Sequence, residues 1–253
     1  MDGMGLDLAH WMGLALAIFA GGFLDAVAGG GGMITVPAFL AAGLPAAAAL
    51  GTNKLVSVTG GLTSTIQYSR AGLVRRSTLP LALFSLVASV GGALCATLLE
   101  ERTLKLVLMS MLLTALVALN LRPGEGFRRR EDTGWPRWIP VGALALGFYD
   151  GFFGPGTGSF LILLLAAAGL EMTQASGNAK LLNFASNLGA AILFASRGSM
   201  RPVLALTLVP MMVAGSWTGA NFAVKRGAPA IRFLLAVVVV ALVGKLGWDM
   251  LRG

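Results

Sequence analysis

The chain has 253 residues, of which 56% are hydrophobic and only 12% are charged. Soluble domains carry about 25% charged residues, so this composition excludes an ordinary soluble enzyme and indicates an integral membrane protein. The net charge of +8 does not indicate a nucleic-acid-binding protein, because the basic residues lie in short loops between hydrophobic runs, as the positive-inside rule predicts.

Ten hydrophobic segments, five in each half, are predicted to cross or enter the bilayer as helices. They are 8–27, 31–43, 48–69, 78–99, 103–121, 138–152, 156–170, 174–196, 202–223 and 229–250. Segments 31–43 and 156–170 are short for a full span and follow glycine clusters, so each is predicted to be half of a broken or re-entrant helix. The predicted fold class is an all-α, polytopic membrane protein.

The longest polar stretch, 122–137, divides the chain near its midpoint and contains the basic run Arg128–Arg130. Basic loops are enriched on the cytoplasmic side of a membrane. We therefore expect an N-terminal membrane repeat over 1–121, a basic cytoplasmic linker over 122–137, and a C-terminal membrane repeat over 138–253.

The two halves carry the same pattern of an aspartate, a glycine-rich stretch and a lysine. Asp25 precedes Lys54 by 29 residues, and Asp150 precedes Lys180 by 30 residues. Further matches in the same order are Gly29 with Gly154, Gly31 with Gly156, Gly51 with Gly177, Gly72 with Gly198 and Arg75 with Arg201. Duplication around glycine-interrupted hydrophobic segments is typical of transporters and indicates the binding site.

The loop charges favour an inverted relation between the repeats. The loop 70–76 has three arginines and 100–105 has no net charge, whereas in the second half 197–201 has two arginines and the following loop is more basic. The more basic loop therefore changes place between halves, as repeats with an odd number of crossings predict.

Four charged residues lie well inside hydrophobic segments: Asp25, Lys54, Asp150 and Lys180. An ionisable group inside a membrane is costly and usually functional. One interpretation is that the two lysines flank an anionic substrate. The other is that an Asp–Lys pair in each half locks the repeats together, and both can hold if substrate displaces one partner.

The glycine clusters cannot continue a regular helix, because glycine costs about 1 kcal/mol relative to alanine and an interior proline about 3 kcal/mol. A break leaves backbone N–H groups and the positive end of the helix dipole at the next helix start, which favours an anion. Gly31, Gly32, Gly156 and Thr157 are therefore candidate anion ligands. The alternative is close helix packing through small residues.

A polar stripe on segment 174–196 is a candidate cavity lining. Lys180, Asn183 and Asn187 share one helix face, and Asn178 lies in the turn before Lys180. The first-half candidates are Thr52, Asn53, Lys54 and Ser57. The alternative for this stripe is interhelical hydrogen bonding.

The two motifs resemble the paired signatures of the TauE/SafE family of sulfite and organosulfonate exporters. The first copy runs from Asp25 to Pro37 and continues from Ala49 to Lys54, and the second comprises 151–158 and 175–180. The resemblance covers essentially the whole chain and implies a multi-pass permease of the bacterial inner membrane for small sulfur-containing or carboxylated anions. Ala179 stands where the first copy has Asn53, which leaves open which half contacts the substrate.

The expected function is therefore a secondary transporter in the lipid bilayer. Lys54 and Lys180 would bind the anion, and Asp25 or Asp150 would carry a proton. We expect no cofactor, no metal and no nucleic-acid partner, and a homodimer stays open.

Two alternatives remain at this stage. One is a cation-coupled or cation carrier that uses Asp25 and Asp150, and the other is a non-transporting anchor subunit that binds a partner through Arg128–Arg130. An intramembrane enzyme is disfavoured because no nucleophile–base pair or metal-ligand set stands at usable spacing.

Overall fold

The structure is a computed structural model that describes residues 8–104, 106, 107, 110, 135–229, 231, 233 and 234. The predicted segments 103–121 and 229–250, and the linker with Arg128–Arg130, lie largely outside the described residues.

The described part contains eight α-helices and a short 3₁₀ turn, Arg76–Thr78. The helices are α1 (Leu8–Ala28), α2 (Gly32–Ala41), α3 (Ala46–Arg70), α4 (Leu79–Leu98), α5 (Trp138–Phe152), α6 (Thr157–Ala167), α7 (Met172–Ser196) and α8 (Pro202–Arg226). The sequence predictions for these eight segments are confirmed to within three residues at each end.

Helices α3 and α7 form the centre of the molecule as an antiparallel pair. Close approaches between them join Gly51 to Phe194, Gly61 to Phe184, and Tyr68 to Gly177. Along these three contacts the residue numbers increase on α3 and decrease on α7 by equal steps. The two helices therefore run antiparallel, and their register is constant. Both are polar for membrane helices, and about 14 of 25 residues in α3 and 15 of 25 in α7 are buried.

The outer helices pair in a second pattern, in which α1 packs along α8 and α4 packs along α5. Three helical segments are long and apolar enough to cross a membrane among the residues that were described: Leu8–Ala28, Arg76–Leu98 and Pro202–Arg226. Their outward faces carry large apolar side chains, among them Leu16, Leu83, Val87, Leu206 and Trp217. Such a surface is suited to contact lipid.

In both outer pairs the helices pack closely through glycines spaced four residues apart. Gly147 and Gly151 of α5 lie against the backbone of Ser85 and Ser89 of α4, where a β-carbon would not fit. Gly215 and Gly219 of α8 lie in the same way against the backbone of α1. Small residues at this spacing let membrane helices approach closely.

Candidate functional site

Two helix breaks lie beside the central helix pair, where the glycine clusters predict them. The first separates α1 from α2, and Gly29 within it has a φ of +76°. The second separates α5 from α6, with φ of +99° at Gly154 and +83° at Gly156. Positive φ is readily accessible only to glycine, so the predicted broken helices are confirmed at both places.

The two breaks contact each other. The backbone N–H of Ser159 donates to the Gly29 carbonyl at 3.2 Å, and the Ser159 hydroxyl donates to the Ala28 carbonyl at 2.6 Å. A β-carbon placed on Gly29 would overlap the backbone of Gly158, and one on Gly32 would lie 3.1 Å from Pro155 Cα. The break after α1 and the start of α6 are therefore held together by direct contact between the halves.

Gly29→Ala is expected to destabilise the protein by clearly more than Gly43→Ala. Both glycines have positive φ, at +76° and +86°, so each substitution carries a backbone cost of about 1–2 kcal/mol. Only Gly29 has a backbone in the space of the new methyl group, whereas nothing lies within 4 Å at Gly43. Thermal unfolding of both variants in detergent measures the difference, and equal losses would contradict the close contact between the breaks.

The four membrane-embedded charges form two ion pairs. Lys54 Nζ lies 2.9 Å from Asp150 Oδ1, and Lys180 Nζ lies 3.1 Å from Asp25 Oδ2. Each pair joins a lysine of one half to the aspartate of the other half. The prediction that each Asp–Lys pair forms within one half is therefore wrong. The two pairs instead form between the halves and connect them.

The two ion pairs differ in how closely they are enclosed. The Asp150 side chain is 2% exposed and accepts a second hydrogen bond, at 2.6 Å, from the Ser186 hydroxyl. The Asp25 side chain is 21% exposed, and its lysine also donates to the Asp25 backbone carbonyl. The lysine side chains themselves are 1% and 0% exposed, so both ammonium groups depend on these partners.

Two predicted substrate ligands hold loops of the opposite half instead. Asn178 accepts hydrogen bonds from the Arg75 N–H at 2.9 Å and the Thr78 hydroxyl at 2.6 Å, and its amide donates to the Leu73 and Gln174 carbonyls. Thr52 accepts a hydrogen bond from the Arg201 N–H at 3.0 Å. The side-chain oxygen and nitrogen of Asn178 are thus both engaged by groups of the protein, and substrate binding by Asn178 or Thr52 stays a prediction.

Other predicted ligands also have partners within the protein. The Thr157 hydroxyl donates to the Gly154 carbonyl at 2.7 Å, the Thr35 hydroxyl donates to Asn53 Oδ1 at 2.5 Å, and the Gly31 carbonyl accepts the Thr35 N–H at 3.0 Å. Asn53 therefore connects α3 to α2.

The remaining predicted ligands lie on the central helices and at the breaks. Asn183 and Asn187 are buried, and the Asn187 amide donates to the Asn183 carbonyl at 2.7 Å. Ser57 and Gly32 are half-buried, and Gly156 is buried at the second break.

Sequence reasoning missed Ser186 and Thr65. Ser186 binds Asp150, and the Thr65 hydroxyl is buried without a hydrogen-bond partner among the residues the structure describes. Neither residue is matched in the other half, because Ser186 aligns with Gly60 and Thr65 aligns with Ala191. An alignment of the repeats therefore gave no signal for them.

Comparison with known proteins identifies the family. The model of the family described as sulfite exporter TauE/SafE matches residues 14–246. The chain is 39% identical over 232 residues to "Probable membrane transporter protein ORF9" of Sinorhizobium sp, covering 90% of this chain and 89% of that protein.

Two further relatives have similar coverage. The chain is 34% identical to "Probable membrane transporter protein YfcA" of Escherichia coli K12, over 90% of this chain and 86% of that protein. It is 32% identical to a "Probable membrane transporter protein" of Haemophilus influenzae, over 91% and 92% of the two chains. The comparison with solved structures found no match. Because the family model and these relatives cover nearly the whole chain, the protein belongs to the TauE/SafE family of multi-pass membrane transporters.

Proposed function

We propose that this protein is a secondary carrier that moves a small oxyanion, such as sulfite or an organosulfonate, across the bacterial inner membrane by alternating access. The observation that carries the proposal is the pair of buried ammonium groups, each held by an aspartate of the opposite half beside a broken helix. The family name supports a sulfur oxyanion as the substrate class.

Alternating access would follow from an inverted duplication, which is supported by the antiparallel course of the matching helices α3 and α7. Helix α1 packs on α8 as α5 packs on α4, and each lysine binds the aspartate of the other half. The Arg201 N–H binds Thr52 just as the Arg75 N–H binds Asn178, and these residues are equivalent in the two copies. Every one of these contacts recurs with the halves exchanged. Such an arrangement lets the two halves exchange conformations and so open the site to either side of the membrane.

The ion pairs suit an anion that is carried together with a proton. While the aspartate is ionised, it neutralises its lysine, and a second anion at that ammonium would leave a buried net negative charge. A proton on the aspartate releases the ammonium, and the anion then restores neutrality in a site where uncompensated charge is costly.

Flux of sulfite and methanesulfonate into proteoliposomes tests this proposal. We expect the wild-type protein to transport at least one of these anions and Lys180→Ala to abolish its flux. Lys225→Ala, which removes an exposed lysine at the end of α8, is the matched control and should retain flux. Equal transport by wild type and Lys180→Ala, with both proteins folded, would refute the role of the ammonium group.

The same assay separates the cation carrier. In that alternative the aspartates bind Na⁺, and flux depends on Na⁺ and not on the identity of the anion. The family name favours the anion, whereas the ion pairs engage both the carboxylates and the ammonium groups. The anchor alternative predicts no flux at all.

A further inference from the structure

We propose that the substrate anion binds at only one of the two ion pairs, Lys180–Asp25, and that the Thr65 hydroxyl donates a hydrogen bond to it there. The Lys54–Asp150 pair is then a permanent link between the halves. This inference rests on the proposed function and deepens it, because it assigns the site to one half of the central pair.

The register of the central helices places Thr65 opposite Lys180. On α3, Gly61, Thr65 and Tyr68 follow each other at the spacing of one helix face. On α7, Phe184, Lys180 and Gly177 do the same in the reverse direction. Gly61 contacts Phe184 and Tyr68 contacts Gly177, so the positions between them, Thr65 and Lys180, face each other across the interface.

The Thr65 hydroxyl is available for a ligand. The residue is 9% exposed, and its oxygen has no hydrogen-bond partner in the described part of the chain. Other hydroxyls of α3 donate to a carbonyl of the preceding turn, as Thr59 does to Val56, Thr63 to Thr59, and Ser64 to Gly60. A buried donor without a partner is costly and calls for a specific explanation.

The two ion pairs are unequal in the way this assignment requires. At Asp150 the Ser186 hydroxyl strengthens the pair, and the carboxylate side chain is 2% exposed. At Asp25 the equivalent of Ser186 is Gly60, and the side chain is 21% exposed. Conversely, the residue equivalent to Thr65 at the Lys54–Asp150 pair is Ala191, which has no hydroxyl group. The Lys180–Asp25 pair is thus both more easily opened and better supplied with donors.

The chemistry of the two donors defines the ligand class. An ammonium group and a hydroxyl on facing helices can both donate to one small oxyanion, each to a different oxygen of the same sulfur atom. Sulfite and the sulfonate group of methanesulfonate meet this requirement.

Thr65→Val tests the assignment, because valine keeps the shape of threonine and removes only the hydroxyl. We expect its KM for sulfite or methanesulfonate to rise about tenfold or more, as loss of a hydrogen bond to a charged group predicts, while kcat changes little. Thr65→Ser should restore the wild-type KM. Thr63→Val, which removes a hydroxyl that binds its own helix, is the control and should leave KM unchanged.

Thermal unfolding gives a second measurement that does not depend on transport. Without an anion, Thr65→Val should melt no lower than the wild type, because it removes a buried group that has no partner. With sulfite or methanesulfonate, the wild type and Thr65→Ser should gain stability and Thr65→Val should gain much less.

The outcomes separate this inference from the proposed function. If the wild type transports neither anion, the proposed function fails. If the wild type transports and Thr65→Val has an unchanged KM, the assignment of Thr65 is overturned while the carrier function stands. A large loss of melting temperature in anion-free Thr65→Val would also overturn it, because the hydroxyl would then be structural.

Discussion

Lys54→Met is expected to destabilise the protein by about 3–5 kcal/mol, because it leaves the Asp150 carboxylate buried without its ammonium partner. The Asp150 side chain is 2% exposed, so water cannot solvate the unpaired carboxylate unless the structure opens locally. The double variant Lys54→Met with Asp150→Asn should regain most of this loss, because no net charge then stays buried and the asparagine oxygen can still accept from Ser186. Thermal and denaturant unfolding in detergent micelles measure the three variants.

Lys180→Met provides the internal comparison for this prediction. Its partner Asp25 is 21% exposed, so solvent screens the carboxylate and the expected loss is smaller. Equal losses in Lys54→Met and Lys180→Met would contradict the distinction between a closed and an openable pair. A double variant no more stable than Lys54→Met alone would show that the cost is not electrostatic.

Much of the fold follows from the sequence because local rules determine it. The glycine clusters at Gly29 and Gly154 interrupt hydrophobic runs, and each interruption becomes a helix break with positive φ. The short predicted segments after these breaks become α2 and α6. Asp25, Lys54, Asp150 and Lys180 stand out because charge is rare within such segments, and the structure brings all four into ion pairs.

The partners of these residues could not be predicted in the same way. Spacing along the chain is nearly identical for the two Asp–Lys motifs, so it cannot tell pairing within a half from pairing between halves. Each lysine pairs with the aspartate of the other half because the two breaks contact each other at Gly29 and Ser159. The contacts of Asn178 could not be predicted for a related reason, since its partners Leu73, Arg75 and Thr78 come from a distant loop.

The matching motifs of the two halves also draw attention away from the residues in which the halves differ. Alignment of the repeats emphasises what they share, namely the lysines and aspartates that form both ion pairs. Transport of one anion needs only one of these pairs to open. In our proposal the differences at Thr65 and Ser186 decide which pair that is, and they emerge only when the two sites are compared in three dimensions.

Asp25→Asn is expected to abolish proton-driven accumulation of the anion while exchange of anion for anion continues. In the mechanism we propose, a proton on Asp25 and an anion on Lys180 favour each other's binding in the wild type, and this coupling is reciprocal. One proton per anion allows about tenfold accumulation for each pH unit across the membrane. Asparagine takes up no proton and does not neutralise Lys180, so binding of the anion no longer depends on pH. The pH gradient can then no longer drive accumulation of the anion.

Proteoliposomes with an imposed pH gradient measure accumulation, and liposomes preloaded with unlabelled anion measure exchange. Glu171→Gln, which removes an exposed carboxylate before α7, is the matched control and should accumulate anion as the wild type does. Undiminished accumulation in Asp25→Asn would exclude Asp25 as the proton carrier. Loss of both accumulation and exchange in a folded variant would instead show that the ion pair itself, and not its protonation, is required for the site to form.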